Sequence, residues 1–350
     1  MSPNTIIKKI NIANLPTKIQ KLERLSDELN ANIYLKRDDQ TGSEFSGNKV
    51  RKLEYVVADA LKKGANLLIT CGGIQSNHCR ATVAVATSLG MKSAVLLRIS
   101  EKPPVLGNYF LDKLMGAEVH FCNADQYREH RMEIMHKIAE DYTSKGYRPY
   151  VIPEGASDEI GTLGYYNCLN EIIKQEKKLN IKFDTIVVAT GSGGTYSGLF
   201  LANEVHHYGK RIVGMTVCDN SAYFTEIVKE IATKAINHLP LPLRKDKNGK
   251  PIKLNYNNIE FNDKYVGIGY ALSRPEELQF IKKIACLEGL ILDPVYTGKA
   301  MYGLYNEVQK GGSLSKSKNG KEYIKERQNI LFIHTGGLFG LFPISETFNL

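Results

Sequence analysis

Lys49 stands behind the turn Ser46-Gly47-Asn48, at the start of an amphipathic run, with Arg51 and Lys52 close behind it. A helix N-terminus offers unpaired N–H groups and the positive end of the peptide dipole. With two neighbouring cations, these disfavour an ammonium at position 49 and lower its pKa. A lysine that sheds its proton near neutral pH is an amine nucleophile able to condense with a carbonyl. A second constellation lies at Thr190-Gly191-Ser192-Gly193-Gly194-Thr195, where the run Ile186-Val187-Val188 empties into glycines and hydroxyls before a helix. Glycines let the backbone close on a ligand, while N–H groups and hydroxyls point at an anion. This pattern is a phosphate cup. It lacks the Gly-Lys-Ser/Thr of a P-loop, and Tyr196 replaces the third glycine of a dinucleotide fingerprint. A third constellation is Gly72-Gly73-Ile74-Gln75-Ser76-Asn77. Ser76 and Asn77 suit a helix N-cap, and they also stand at the carboxyl end of a strand, where open α/β sheets hold ligands. Taken singly, the three admit plainer readings: a solvated basic helix start, a connecting glycine turn and a cap.

The elements that carry these residues follow a βα rhythm. Gly64, Gly90, Gly116 and Gly146 fall where helices should end, at spacings of 26, 26 and 30 residues. Each precedes a strand pattern: Asn66–Thr70, Ser93–Leu97, Glu118–Phe121 and Tyr150–Ile152. Apolar helical patterns fill the intervals, such as Val56-Val57-Ala58-Ala60-Leu61 and Ala81-Val83-Ala84-Val85-Leu89. Such alternation predicts an α/β protein with parallel sheets and right-handed crossovers. A second series begins at Ile186–Ala189 and Arg211–Val217, resumes after an irregular charged insertion near 240–262, and closes with Asn329–Ile333. Two open, twisted, mostly parallel sheets facing each other leave a cleft suited to a cofactor.

Bulk properties fit a soluble enzyme of two domains, or of one domain interrupted by another, in 350 residues. No apolar run approaches the length of a membrane span. The first thirty residues lack an apolar core and carry Glu23, Asp27 and Glu28, so neither a secretory signal nor a transit peptide is expected. Six scattered cysteines (71, 79, 122, 168, 218 and 286) show no Cys-x-x-Cys spacing; they predict reduced thiols in a cytoplasmic protein and no metal site. The net charge of +9 is dispersed, and its densest stretches, Arg244 to Lys253 and Lys310 to Lys325, are mixed with Gly, Ser and Asn as in solvated loops. Neither nucleic acid nor membrane is expected as a partner.

Together the motifs resemble the pyridoxal-phosphate enzymes of the tryptophan-synthase β-like fold (fold type II), and among them the D-cysteine desulfhydrase / aminocyclopropane-carboxylate deaminase family. The resemblance rests on Leu15-Pro16-Thr17, Tyr34 to Gly42, Gly47 to Tyr55, Gly73 to Asn77, Thr190 to Thr195, Asp293 to Met301 and Ile333 to Gly337, in order along nearly the whole chain. It implies pyridoxal phosphate as cofactor, a small amino acid as substrate, a homodimer, and a smaller α/β domain (52–163) inserted into a larger cofactor-binding one (1–51 and 164–350). It implies that Lys49 forms the Schiff base and shuttles the α-proton, that Lys52 and Thr190–Thr195 hold the phosphate, and that Asn77 bonds the pyridine hydroxyl. Ser76 would hold the substrate carboxylate and assist proton transfer, with Tyr296 and Tyr270 over the substrate. Each of these has a plain alternative: Lys52 as a surface helix lysine, the tyrosines as core aromatics among nineteen. His78, Cys79 and His334 read as packing or supporting residues.

Thr297 and Thr335 bear on the reaction. The ring-opening deaminases typically carry Glu and an apolar residue at these positions, and the desulfhydrases carry this threonine pair. A carboxylate at the pyridine nitrogen keeps it protonated and deepens the electron sink; a hydroxyl leaves the ring closer to neutral, which suits β-elimination of a good leaving group. The expected reaction is D-cysteine to pyruvate, ammonia and hydrogen sulfide, with aminocyclopropane-carboxylate deamination as the alternative. A nicotinamide-dependent oxidoreductase, with Gly191–Thr195 on the pyrophosphate and Asp219 on the ribose, would lack the third glycine and leave Lys49 unexplained. A non-catalytic amino-acid binder would have no need of Lys49 behind its turn.

Overall fold

The computed structural model describes residues 8–348 apart from Lys102, Lys247 and 317–326. Among the described residues there are ten strands: β1 (Ile19–Lys21), β2 (Asn32–Lys36), β3 (Leu67–Gly73), β4 (Lys92–Arg98), β5 (Glu118–Cys122), β6 (Pro149–Val151), β7 (Thr185–Thr190), β8 (Arg211–Thr216), β9 (Glu260–Asn262) and β10 (Asn329–Ile333). They form two sheets. One has the order β1-β2-β10-β7-β8-β9, parallel except for β1 at its edge; the other, β5-β4-β3-β6, is wholly parallel. The fold is α/β with two mostly parallel sheets flanked by helices, as the βα rhythm predicts.

The four rhythm-setting glycines sit just past helices ending at Lys62, Ser88, Leu114 and Ser144. Their φ values of +75°, +68°, +80° and +84° explain the residue type, because a Cβ disfavours that left-handed turn. The central strands show why a near-continuous apolar run reads as buried. Ile186, Val188, Leu331 and Ile333 face the helices Leu163–Leu179 and Gly194–His206, while Val187, Ala189, Ile330 and Phe332 face Pro275–Glu288 and Thr297–Gln309. Burying each such large apolar side chain contributes roughly 1.5–3 kcal/mol.

Three strands were not apparent in the sequence pattern. β1 and β2 lie in a lysine-rich stretch, and Lys36 of β2 is fully buried because its ammonium meets Glu171 and Gln175 (2.6 Å). β9 has only three residues. It ends the charged insertion, which is less solvated than expected: Ile252, Leu254, Tyr256 and Phe261 pack on the core, and Arg211 Nε donates to Glu260 at 2.9 Å. The stretch Lys310 to Lys325 lies outside the described residues from 317 onward. Among the described residues no helix is long and apolar enough to cross a membrane.

In the larger sheet β10 lies between β2 and β7, and the chain leaves β7 for β8 on the other side. The carboxyl ends of β7 and β10 are therefore neighbours in the sheet.

Candidate active site

Loops from both sheets meet at one cavity. It is lined by Asn48 and Lys49, by Gly73 and Ser76–His78 after β3, by Glu154 and Gly155 after β6, and by Thr190–Gly193, Thr195 and Tyr196 after β7. Tyr270, Tyr296, Thr335 and Gly336 complete its wall.

Lys49 opens the helix Lys49–Lys62, and its amine is pushed down to about 8. The principal cause differs from the one expected. Burial lowers the pKa most, with Glu154 and Cys79 opposing it. Arg51 contributes little because its guanidinium is held by Asp38 (2.8 Å) and Glu171 (3.0 Å). Among the described residues the Lys49 ammonium makes no hydrogen bond. A Cβ on Gly155, whose φ is +68°, would stand 3.1 Å from Lys49 Nζ and 2.5 Å from Ser192 Oγ, so only glycine leaves that space open.

Lys52 is no surface lysine. It is fully buried, and its ammonium donates to Gly155 O and Ser157 Oγ, both at 2.9 Å. Burial first, then Lys49, hold its pKa well below the ordinary lysine range. Among the described residues it has no carboxylate within ion-pair distance. It borders the glycine cup: a Cβ on Gly194 would lie 2.7 Å from Ser157 Oγ and 2.8 Å from Lys52 Nζ. Gly193 (φ +81°) opens the helix Gly194–His206, so that helix's free N–H groups face the same space. Ser157 and Ser192 join hydroxyls at 2.8 Å, and Thr190 Oγ1 is buried without a partner among the described residues. Asn48 ties this cup to the lysine turn, its Nδ2 donating to Thr195 Oγ1 (3.0 Å) and its N–H to Thr335 O (3.1 Å).

Ser76 caps the helix Asn77–Ser88, accepting from the Cys79 N–H at 3.2 Å, and it also lines the cavity. Asn77 Oδ1 accepts from Asn108 Nδ2 at 2.9 Å. The hydroxyls of Tyr270 and Tyr296 are 2.6 Å apart. Burial raises Tyr270 to about 12 and Tyr296 well above its usual value, so both phenols stay protonated. Lys299 steadies the loop before Tyr270 by donating to Val266 O (2.7 Å) and Gly269 O (2.6 Å).

Thr297 departs from expectation. It is fully buried outside the cavity lining, its hydroxyl donating to Asp293 Oδ1 (2.7 Å) and accepting the Asp293 N–H (2.8 Å). Asp293 also accepts the N–H groups of Val295, Tyr296 and Thr297, so this pair is a helix start. Of the two threonines, Thr335 alone faces the cavity. His334 braces it, with Nε2 donating to Ile291 O (2.9 Å) and Nδ1 accepting from Gly336 N–H (3.1 Å). Cys79 is packed away. His78 lines the wall, 2.7 Å from Thr70 Oγ1, and burial drives its pKa well down, so it is neutral.

Sequence reasoning missed Glu154, Gly155, Ser157 and Asn108, and also Arg98, whose guanidinium lies over the rings of Tyr127 and Tyr270 at 5.3 and 5.4 Å. For the first three a signal existed, since a glycine three residues beyond the strand pattern Tyr150–Ile152 is a ligand-loop position.

A buried lysine without a counter-ion, a glycine cradle and a helix N-terminus suit a phosphate, and an amine pushed down to about 8 beside them suits an aldehyde. The fold and site thus define a pyridoxal-phosphate-dependent enzyme of fold type II. The chain belongs to the pyridoxal-phosphate-dependent enzyme family, whose model matches residues 10–336. It is 40% identical over 343 residues to the bifunctional D-cysteine desulfhydrase/1-aminocyclopropane-1-carboxylate (ACC) deaminase of Arabidopsis thaliana, covering 95% of this chain and 79% of that one. It is 37% identical to the D-cysteine desulfhydrase of Serratia proteamaculans, covering 95% of each. A crystal structure of an ACC deaminase homologue superposes with a TM-score of 0.84 at 38% identity, covering 98% of this chain and 96% of that one. The cofactor is pyridoxal phosphate.

Proposed function

We propose that this protein is a D-cysteine desulfhydrase, converting D-cysteine to pyruvate, ammonia and hydrogen sulfide. The observation that carries the reading is the Thr335 wall, which offers the cavity a hydroxyl and no carboxylate. Asp293, the nearest acidic residue in that motif, is fully engaged as a helix cap. Glu154, the carboxylate on the lining, has Arg131 as ion-pair partner (3.8 Å), and its charge bears on Lys49, Tyr270 and Tyr296.

Bound pyridoxal phosphate supplies the electron sink that accepts the electron pair of the substrate α-carbon. Thr335 offers its ring nitrogen one hydrogen bond and no negative charge, which favours loss of a good leaving group over opening of a strained ring. Lys49 would hold the cofactor through Nζ, and its amine, pushed down to about 8, is well matched to taking the substrate α-proton. Lys52 and the loop Thr190–Thr195 would hold the phosphate, and Asn77 would donate to the ring oxygen. Ser76 receives the substrate carboxylate. The protonated Tyr270–Tyr296 pair is a proton source for the departing thiolate.

Residues 52–163 act as the smaller domain within 1–51 and 164–350, supported by the pairing of β3–β6 only with one another. A cytoplasmic homodimer is supported by six unpaired cysteines and by the exposed apolar residues Leu106, Phe110, Leu114, Leu338 and Phe342. ACC deaminase is the second reading, favoured by the names of relatives. Release of 2-oxo acid and ammonia, with sulfide where the substrate carries sulfur, measured side by side for D-cysteine, L-cysteine, D-serine, β-chloro-D-alanine and ACC separates the two, since ring opening of ACC yields 2-oxobutanoate and the others yield pyruvate. D-Cysteine should be consumed fastest; faster turnover of ACC would replace the proposal with its rival.

A further inference from the structure

We infer that Asn108 is a positioning residue that fixes which end of the Asn77 amide faces the cofactor. The argument begins at Arg80, whose guanidinium can only donate. Arg80 Nε lies 3.1 Å from one atom of the Asn108 side chain, which must therefore be the oxygen. The other end of that amide lies 3.0 Å from Gln75 O, a backbone carbonyl that can only accept, and so must be the nitrogen. Two obligate partners thus fix one orientation. The same Asn108 Nδ2 reaches Asn77 at 2.9 Å, so the atom it meets is Asn77 Oδ1. The Asn77 Nδ2 is left turned away from Asn108 on the cavity wall, and it donates no hydrogen bond among the described residues.

The relay is rigidly built. Arg80 and Asn108 are fully buried. The Asn108 N–H donates to Gln75 Oε1 at 2.8 Å, and a Cβ on Gly107 would lie 2.4 Å from that oxygen. Arg80 Nη2 also donates to Ser46 O at 2.8 Å and Nη1 to Glu44 O, so one guanidinium secures both the asparagine relay and the loop that presents Lys49. Asn77 alone could turn either end of its amide to a ligand; Asn108 makes it a donor, which suits an anionic ring oxygen and not a protonated one. The inference rests on the reading of Asn77 as the ring-oxygen contact.

The test is Asn108→Asp. Ionised, its carboxylate can still accept from Arg80 but cannot donate to Asn77, whose amide must then rotate and offer its oxygen to the cavity; binding is therefore read at about pH 9, above the value of about 8 to which burial pushes Asp112 beside the same Arg80. Asp112, which the burial around it pushes up to about 8, and Arg80, drawn down to about 10, are the ionisable groups beside the relay. Cofactor-free N108D should still fold, with a lower unfolding midpoint than wild type because Gln75 O loses its donor. Its dissociation constant for pyridoxal phosphate should rise by about tenfold or more, and the pH titration of the bound cofactor's visible band should shift upward. Asn77→Leu should weaken binding similarly, and N108D on top of it should add little, since Asn108 acts through Asn77. Wild-type affinity and titration in N108D, or losses in N77L and N108D that simply add, would overturn the inference. If N108D fails to fold, Asn108→Leu replaces it, with weaker cofactor binding expected and unchanged binding contradicting the relay. Cofactor binding is read without substrate, so failure of the D-cysteine assignment would leave these outcomes intact.

Discussion

Replacing Lys49 with methionine should make the cofactor-free protein more stable at neutral pH and less able to use its cofactor. In the folded chain the amine is pushed from 10.5 to about 8, chiefly by burial. At about 1.4 kcal/mol per unit, that depression costs the folded state about 3 kcal/mol wherever both states hold the proton. The full cost applies below about pH 8. Between about 8 and 10.5 the unfolded chain still binds a proton that the folded one has released, so wild-type stability rises with pH through this window. Lys49→Met removes the cost, and its advantage should be greatest at pH 7 and shrink by about 3 kcal/mol by pH 10.5. Buried Lys52, whose protonation Lys49 opposes, adds a contribution of the same sign. Denaturant unfolding of both cofactor-free proteins at the two pH values gives the difference, provided the slopes match. Pyridoxal phosphate at a hundred times its dissociation constant should return about 2.7 kcal/mol to the wild type. A variant less stable than wild type at pH 7, or a difference that ignores pH, would refute the reasoning.

Gly194→Val places atoms within 2.7–2.8 Å of Ser157 Oγ and Lys52 Nζ; cofactor affinity should fall sharply, with activity partly restored by excess cofactor, as equilibrium dialysis and assay would show. Lys52→Met should weaken cofactor binding and stabilise the cofactor-free protein, because it removes a buried cation that lacks an ion-pair partner. Thr297→Ala should cost about 1–3 kcal/mol of stability through the lost Asp293 bonds while leaving the pH profile of kcat unchanged. Thr335→Val should do the reverse, lowering kcat on D-cysteine with little change in unfolding midpoint.

The parallel sheets were legible because helix-ending glycines recur at an even period and the central strands are buried on both faces. β1, β2 and β9 were not, since the lysines of the first two and the short length of the third carry no period-two signal, and their place comes from tertiary pairing, β2 with β10, β1 with β2 and β9 with β8. In the site, glycines and hydroxyls beside strand ends were readable as a cup. What stayed hidden depends on distant contacts: the second half of the cup at Gly155 and Ser157 comes from the other sheet, and Asn108 approaches Asn77 across 31 residues of chain. Thr297 was misplaced because its motif says where the chain turns, and only the Asp293 hydrogen bonds reveal that the hydroxyl faces inward. The depressed pKa of Lys49 was anticipated from a helix end and neighbouring charge, but burial dominates it, and burial is a property of the assembled fold.

Every role assigned to this cavity depends on which lysine carries the cofactor. Borohydride reduction of the purified holoenzyme, digestion and mass mapping of the pyridoxyl-bearing peptide identify that lysine directly. The account predicts a single modified residue, Lys49, with the visible absorbance bleached in step. Modification at Lys52 or Lys299 instead, or a protein that takes up no pyridoxal phosphate, would contradict it.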